Sequence, residues 1–370
     1  MATAHRRLCA RVVFCAVLLS LAEVTADARA DDVKVQATSV GVRRFAPGAW
    51  GVRGVDVTNL QDSPAEAVVD VAFEGDPLME YSRQAWVPPH SRRRVNVPCL
   101  PDVEGPAEVR ARTWLAGAET GPVALPDESP VDATAAETLP RVQPPLTILI
   151  SDIDSEADGI SPTFEMVVAL RLTAGNTRNL TEINATDVPT FPFGLEAADE
   201  LVLVSDRVAD SPSAIMTLST WLQRGGRLWI PLEQVAPRTV EKLLSDVVQI
   251  TEVDRIRLAD VQFVNRVKAA PSGPTRVLET PVDMLRVIPS DANIIHEVNG
   301  WPASFWLPVG SGQVLFTTVG PDAWMRPRQP NEQVAQLERN SYFVAETALD
   351  ELATLMTRPL DPPPLSTADL

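Results

Sequence analysis

Carboxylates behind apolar runs are the residues with the most chemistry to offer in this chain of 370 residues. The run Leu146–Ile150 is followed by Asp152 and Asp154, and paired carboxylates of this kind are oxygen donors for a hard divalent cation. Asp206 follows the run Leu201–Val204, and Glu233 follows Leu228–Ile230 in the turn Pro231–Leu232–Glu233–Gln234. If the runs are parallel strands, Asp152, Asp154, Asp206 and Glu233 lie at or just past their carboxyl ends, the rim where open α/β sheets bind ligands. Two readings stand side by side: a pocket for a cation or a peptide amine, or a rim of solvated carboxylates. Read from Asp154, DSEADGISPTFE also puts Glu156 third, Asp158 fifth, Gly159 sixth and Glu165 twelfth, close to a calcium-loop spacing. A buried strand rather than a helix leads into it and Pro162 takes the ninth place, which favours a plain acidic loop.

Nucleophiles and bases are scarce. Cys99 is the only cysteine beyond the first 15 residues, and it sits between Pro98 and Leu100, far in sequence from the rim. His296 directly precedes Glu297, and adjacent residues on a strand point to opposite faces, so this pair cannot act as a dyad. The GSGQV of Gly310–Val314 has no basic residue and no following helix to receive a phosphate, so it reads as a hairpin turn.

The elements that position the rim alternate. Leu146–Ile150 is apolar throughout, as a strand buried on both faces must be. Ser161 and Pro162 then start a helix running through Leu172, and Leu180–Ile183 is a second strand. Leu201–Val204 is the third strand. Ser211 caps and Pro212 opens a helix whose Ile215, Leu218, Trp221 and Leu222 recur at helical spacing before Gly225–Gly226 ends it. Leu228–Ile230 is the fourth strand, with a helix over Val240–Val247 after it. This order predicts a doubly wound parallel sheet.

The run ADELVLVSD…STWLQRGGRLWIP, with GWPASFWLPVGSGQVLFTTVGPDAW further on, resembles the class I glutamine amidotransferase-like superfamily over roughly residues 145–325. More narrowly it is similar to exported, divergent members found in bacterial membrane-bound proteins. The resemblance implies a flavodoxin-like, amidotransferase-like domain. Catalytic members carry a cysteine at the sharp turn after the fourth strand, where the matching residues here are Pro231, Leu232, Glu233 and Gln234, and they space a histidine and a glutamate by one residue. Neither feature is kept, which implies a domain without amidotransferase activity. In that case Glu233 is expected to face solvent or to cap the helix starting near Arg238–Thr239. LTILISDIDSE also resembles the first motif of haloacid-dehalogenase-type phosphatases, in which Asp152 would attack phosphorus and Asp154 would protonate the leaving group beside Mg²⁺. No later Lys or acidic metal pair follows in order.

Ahead of this domain, His5, Arg6, Arg7 and Arg11 precede the apolar run Val12–Ala22 and the small-x-small site Ala28–Arg29–Ala30. That is the pattern of a cleaved signal peptide over residues 1–30. The chain carries a formal net charge of −17, and removing a leader with four arginines and two acids makes it more acidic still. Such a balance excludes nucleic acid and an anionic membrane surface as the main partner. Between 31 and 126, short Val-rich segments separated by Pro, Gly, Asn and Asp predict an antiparallel β-sandwich; in AVVDVAFE, Val69, Val71 and Phe73 share one side. WVPPHSRRRVNVP resembles the Pro-turn and closing strand of bacterial envelope sandwiches of immunoglobulin-like type. Arg92, Arg93 and Arg94 are either an anionic docking site or a charged strand edge. A Pro- and Ala-rich linker follows over 127–145, the α/β domain over 146–325, a C-terminal helix over 326–358, and an extended tail over 359–370.

Together these features point to an exported protein, periplasmic or associated with the cell envelope, that works without a cofactor as a non-catalytic interaction or scaffolding protein. A protein partner is expected, and membrane association only through that partner or an uncleaved leader. The alternative is a metal-dependent, phosphatase-like hydrolase using Asp152 and Asp154.

Overall fold

The computed structural model describes residues 33–37, 48–73, 79–101, 107–115, 137–139, 146–152, 161–332 and 341–357. The leader, most of the linker, Asp154 and the tail fall outside these residues. The N-terminal strands are β1 (Val33–Ala37), β2 (Gly51–Asn59), β3 (Ala65–Phe73), β4 (Glu80–Val87), β5 (Ser91–Cys99), β6 (Ala107–Leu115) and β7 (Glu137–Leu139). They form two antiparallel sheets, ordered β1-β2-β5 and β4-β3-β6-β7. Val55, Val57, Val95 and Val97 of the first sheet pack against Val69, Val71, Phe73 and Val87 of the second in one core. The period-2 alternation of β3 produces this: its Val69, Val71 and Phe73 are the residues that the core encloses.

The second region begins with β8 (Thr147–Ser151), α1 (Pro162–Thr173), β9 (Leu180–Asn184), β10 (Glu200–Leu203), α2 (Pro212–Gln223), β11 (Arg227–Pro231) and α3 (Pro237–Leu244). Ser161 Oγ accepts from Phe164 N at 3.1 Å and Ser211 Oγ from Ala214 N at 3.3 Å, so each serine caps its helix and a proline fills the first turn. The chain continues through β12 (Ile250–Val261), β13 (Val264–Asn265), β14 (Ala270–Pro271), β15 (Arg276–Pro289), β16 (Asn293–Val298), β17 (Trp301–Val309), β18 (Gly312–Thr317), β19 (Met325–Pro327), β20 (Phe343–Ala345) and α4 (Thr347–Thr357).

One mixed sheet of nine strands organises this region, in the order β14-β13-β16-β17-β18-β11-β10-β8-β9. From β9 to β18 neighbouring strands are parallel; from β18 to β14 they are antiparallel. Helices cover both faces. Ile148, Ile150, Leu201, Leu203, Leu228 and Ile230 pack with α2 and α3 on one face. Leu149, Val202 and Trp229, the residues between them, pack with α1 and α4 on the other.

β12 and β15 form a two-stranded sheet, a long antiparallel ribbon with register shifts at Glu252/Asp254 and Leu258/Asp260. Its Leu258, Val282, Met284 and Val287 are buried, and Leu285 N donates to Thr318 O at 2.8 Å to fasten it. The end of α2 meets the β17–β18 hairpin backbone to backbone. Ser311 N donates to Gln223 O and Gln313 N to Gly226 O, both at 3.1 Å. A Cβ at Gly312 would stand 2.1 Å from Leu222 O.

The single helix expected over 326–358 does not form. Phe343–Ala345 is strand β20, antiparallel to β19, and α4 starts at Thr347. Tyr342, Phe343 and Val344 are aromatic or β-branched and favour extended backbone, while the apolar spacing that suggested one helix is met equally by a strand and a shorter helix. Among the described residues no helix is long and apolar enough to cross a membrane.

The sandwich touches the α/β region through the connection after β9. Trp50 packs edge-on against Phe191 at 5.9 Å between centroids, its backbone N donates to Glu196 Oε2 at 3.2 Å, and Arg94 Nη1 reaches Asp187 at 2.8 Å. Arg92 and Arg94 both bond the buried Asp56 on the adjacent β2 while their side chains stay exposed at the edge strand β5.

Candidate functional site

The turn after β11 is tightly fastened. Leu232 N donates to Thr317 O at 2.7 Å, prolonging the pairing with β18, and Val235 N donates back to Pro231 O at 3.0 Å. Leu232 and Val235 are fully buried and anchor the turn from both sides. Between them the Glu233 side chain lies back on the structure. Its Oε1 accepts from Gln234 Nε2 at 3.1 Å, and its Oε2 is enclosed with no hydrogen-bond partner. Gln234 Nε2 also donates to Thr163 Oγ1 on α1 at 2.7 Å, and Arg255 Nη1 of β12 donates to the Glu233 carbonyl at 2.8 Å. Burial dominates the electrostatics of this acid. It pushes the pKa up to about 8, against the lowering pull of the turn's own N–H, Gln234 and Arg255, and nearby Asp283 adds to the rise.

Asp206 has a different task. Its Oδ1 accepts from Ala236 N at 3.0 Å and from Thr239 Oγ1 at 2.5 Å. The N-cap residue of α3 is Ala236, which has no side-chain oxygen, so Asp206 caps that helix from the 3-10 turn Asp206–Asp210 and places its charge at the helix N-terminus. The capping role expected of Glu233 therefore belongs to Asp206. Asp152, at the end of β8, accepts from Ser205 Oγ and lies 3.8 Å from Arg207 Nε. The structure thus places Asp152, Asp206 and Glu233 past neighbouring strand ends and fastens each to different partners. Among the described residues no group of three or more His, Cys, Asp or Glu side chains is arranged to hold a metal ion. Cys99 is buried in the sandwich, and burial pushes its thiol up to about 12.

Sequence reasoning missed the densest polar cluster. Glu351, on α4, accepts from Asn265 Nδ2 at 2.9 Å, Lys268 Nζ at 2.5 Å and Ser272 Oγ at 2.7 Å, and pairs with His296 Nε2 at 2.7 Å. His296 Nδ1 in turn meets Ser304 Oγ at 2.8 Å. Glu297, the residue next to His296, pairs instead with Arg266 at 3.2 Å. Desolvation would raise the Glu351 pKa, but Lys268, Asn265, His296 and Ser272 outweigh it and hold the acid at about 2. Burial pulls His296 below its ordinary value against the opposite pull of Glu351, so the neutral ring donates from Nε2 to the carboxylate and accepts from Ser304 at Nδ1.

Serine, histidine and carboxylate in this order are the components of a nucleophile relay. Ser304 and His296 are, however, wholly enclosed, with Phe263 and Trp324 edge-on to the imidazole at 6.0 and 5.9 Å. A substrate has no route to the hydroxyl in this arrangement, and the cluster acts as a polar pin between α4 and the sheet. A lone glutamate beside the apolar stripe Ala348, Leu349, Leu352 and Met356 was the sequence signal available, and nothing in it pointed to a histidine 55 positions earlier.

No known family model matches the chain, and no curated protein matches it. Among solved structures, the cytoplasmic protein STM1381 from Salmonella typhimurium LT2 is 16% identical with a TM-score of 0.37, over 58% of this chain and 100% of that one. The cytoplasmic protein STM3548 from Salmonella typhimurium is 13% identical with a TM-score of 0.38, over the same shares. A putative ThuA-like protein from Bacteroides uniformis ATCC 8492 is 9% identical with a TM-score of 0.33, over 58% of this chain and 91% of that one. Likenesses this distant assign neither a family nor a function.

Proposed function

We propose that this chain is an exported, non-catalytic interaction or scaffolding protein of the bacterial cell envelope, with an immunoglobulin-like sandwich ahead of an amidotransferase-like α/β domain. The observation that carries the reading is the state of the turn after β11. Where catalytic members of that superfamily expose a nucleophile, this chain has a glutamate folded back, with one oxygen enclosed and Gln234 on the other. Asp206 supports it, because its carboxylate is committed to a helix cap. The leader pattern at the N-terminus supports export, and the acidic balance favours a protein partner over nucleic acid or an anionic membrane.

Calorimetric titration of Mg²⁺, Ca²⁺ and Mn²⁺ into the purified chain, with a phosphomonoester assay alongside, separates this reading from the metal-dependent hydrolase. The expected result is no heat of binding and no turnover. Micromolar binding that disappears in Asp152→Asn, with phosphate release that disappears alongside it, would replace the scaffold with the hydrolase. In that case Asp152 would have to exchange its Ser205 hydroxyl for the metal.

A further inference from the structure

Turn 232–235 is the point where β11, the β12–β15 ribbon and α1 are tied together through side chains, and an acid sits at its centre. Glu233 is faced by Arg255 from β12 and Asp283 from β15, with Gln234 of the turn itself bridging to Thr163 of α1. We propose that this turn is a proton-controlled switch: protonated Glu233 stays folded back at the end of β11, and on ionising it releases its proton to water and turns its carboxylate to the Arg255 guanidinium, which leaves the Glu233 carbonyl. The proposal is independent of the scaffold reading.

Two features of the geometry and one of charge support the change. First, an ionised carboxylate oxygen enclosed without a donor is among the least tolerable groups in a protein interior, and Oε2 is in that position. Second, Asp283 adds to the rise in the Glu233 pKa, so a negative charge at the folded-back site is disfavoured even though Asp283 is itself paired with Arg257 at 3.3 Å. Third, an acceptor for the new charge is already in place, since Arg255 Nη1 lies 2.8 Å from the carbonyl of the same residue. Moving the carboxylate breaks the contact with Gln234 Nε2, the amide that also holds Thr163. Ionisation therefore leaves Gln234 Nε2 to Thr163 alone and moves the ribbon's tie from the Glu233 carbonyl to its carboxylate, so the surroundings of α1 and of the ribbon change together. A proton held until about pH 8 puts the transition within reach of ordinary changes in pH.

Carbon NMR of the full chain labelled at glutamate side-chain carboxyls, followed from pH 4 to 10, tests this, with Glu233→Gln identifying the resonance. The expected result is a Glu233 midpoint far above those of ordinary glutamates, with the backbone amides of Thr163, Gln234 and Arg255 shifting at the same midpoint and not shifting in E233Q. Arg255→Gln, at an exposed position that leaves the fold intact, should move the midpoint up by about half a unit, roughly threefold in acid dissociation. An ordinary Glu233 midpoint, a high midpoint with still Thr163 and Arg255 amides, or no effect of R255Q each overturns the switch.

Discussion

Replacing Glu351 with glutamine removes one charge from the cluster that pins α4 and leaves four donors around a neutral amide. In the folded chain the acid's pKa is about 2 instead of 4.5, and each unit is worth about 1.4 kcal/mol, so the folded environment favours the carboxylate by about 3 kcal/mol. The side chain is 14% exposed, so solvent screening takes little from this figure. A depressed pKa stabilises the fold above the unfolded value and loses that contribution as pH falls through the folded one. At pH 7, E351Q should therefore be less stable than the wild type by about 2–3 kcal/mol, and the gap should close between about pH 4.5 and pH 2. Urea unfolding followed by tryptophan fluorescence suits the measurement, because Trp324 lies beside His296. A loss at pH 7 below about 0.5 kcal/mol, or a gap unchanged at pH 3, would refute the reasoning.

Three further outcomes are expected. Asp206→Ala strips the cap from α3 and should cost about 1–2 kcal/mol in the same unfolding assay, with Asp206→Asn recovering part of it. Glu233 carries the opposite sign to Glu351: its raised pKa penalises the folded state as pH climbs from 4.5 towards 8, so Glu233→Gln should stabilise the chain by about 1–2 kcal/mol at pH 8, after discounting for partial exposure, and do nothing at pH 4. Cys99 should resist iodoacetamide in the native chain at pH 8 and react once urea unfolds the sandwich, with mass spectrometry counting the adduct.

Elements buried on both faces were the most legible in the sequence. β8, β10 and β11 each contain an unbroken apolar run, Ile148–Ile150, Leu201–Leu203 and Leu228–Ile230, and α1 and α2 open with Ser-Pro, so strand and helix announce themselves locally. The sandwich strands were legible through alternation. The β12–β15 ribbon was not: one face is exposed, two register shifts break the period, and Glu252, Asp254, Arg255 and Arg257 are spread along it. At the rim, positions were legible but side-chain directions were not. Asp206 and Glu233 could be placed past adjacent strands, but which of the two would cap α3 depends on a contact spanning 30 positions. The Glu351 cluster gathers residues from β13, the hairpin after it, β16 and α4, and no short window contains such a set.

The meeting of α2 with the β17–β18 hairpin also explains what the glycine motifs in this chain report. Gly226 has no room for a side chain, since a Cβ there would stand 2.5 Å from the Trp221 ring, and Gly312 is closed off by Leu222 O. WLQRGG and GSG, almost ninety positions apart, are thus the two halves of one steric lock. The lock sits at the start of β11, at the opposite end of that strand from the turn that holds Glu233. These glycines therefore report how α2 and the hairpin are packed, and carry no information on the chemistry at the other end of β11.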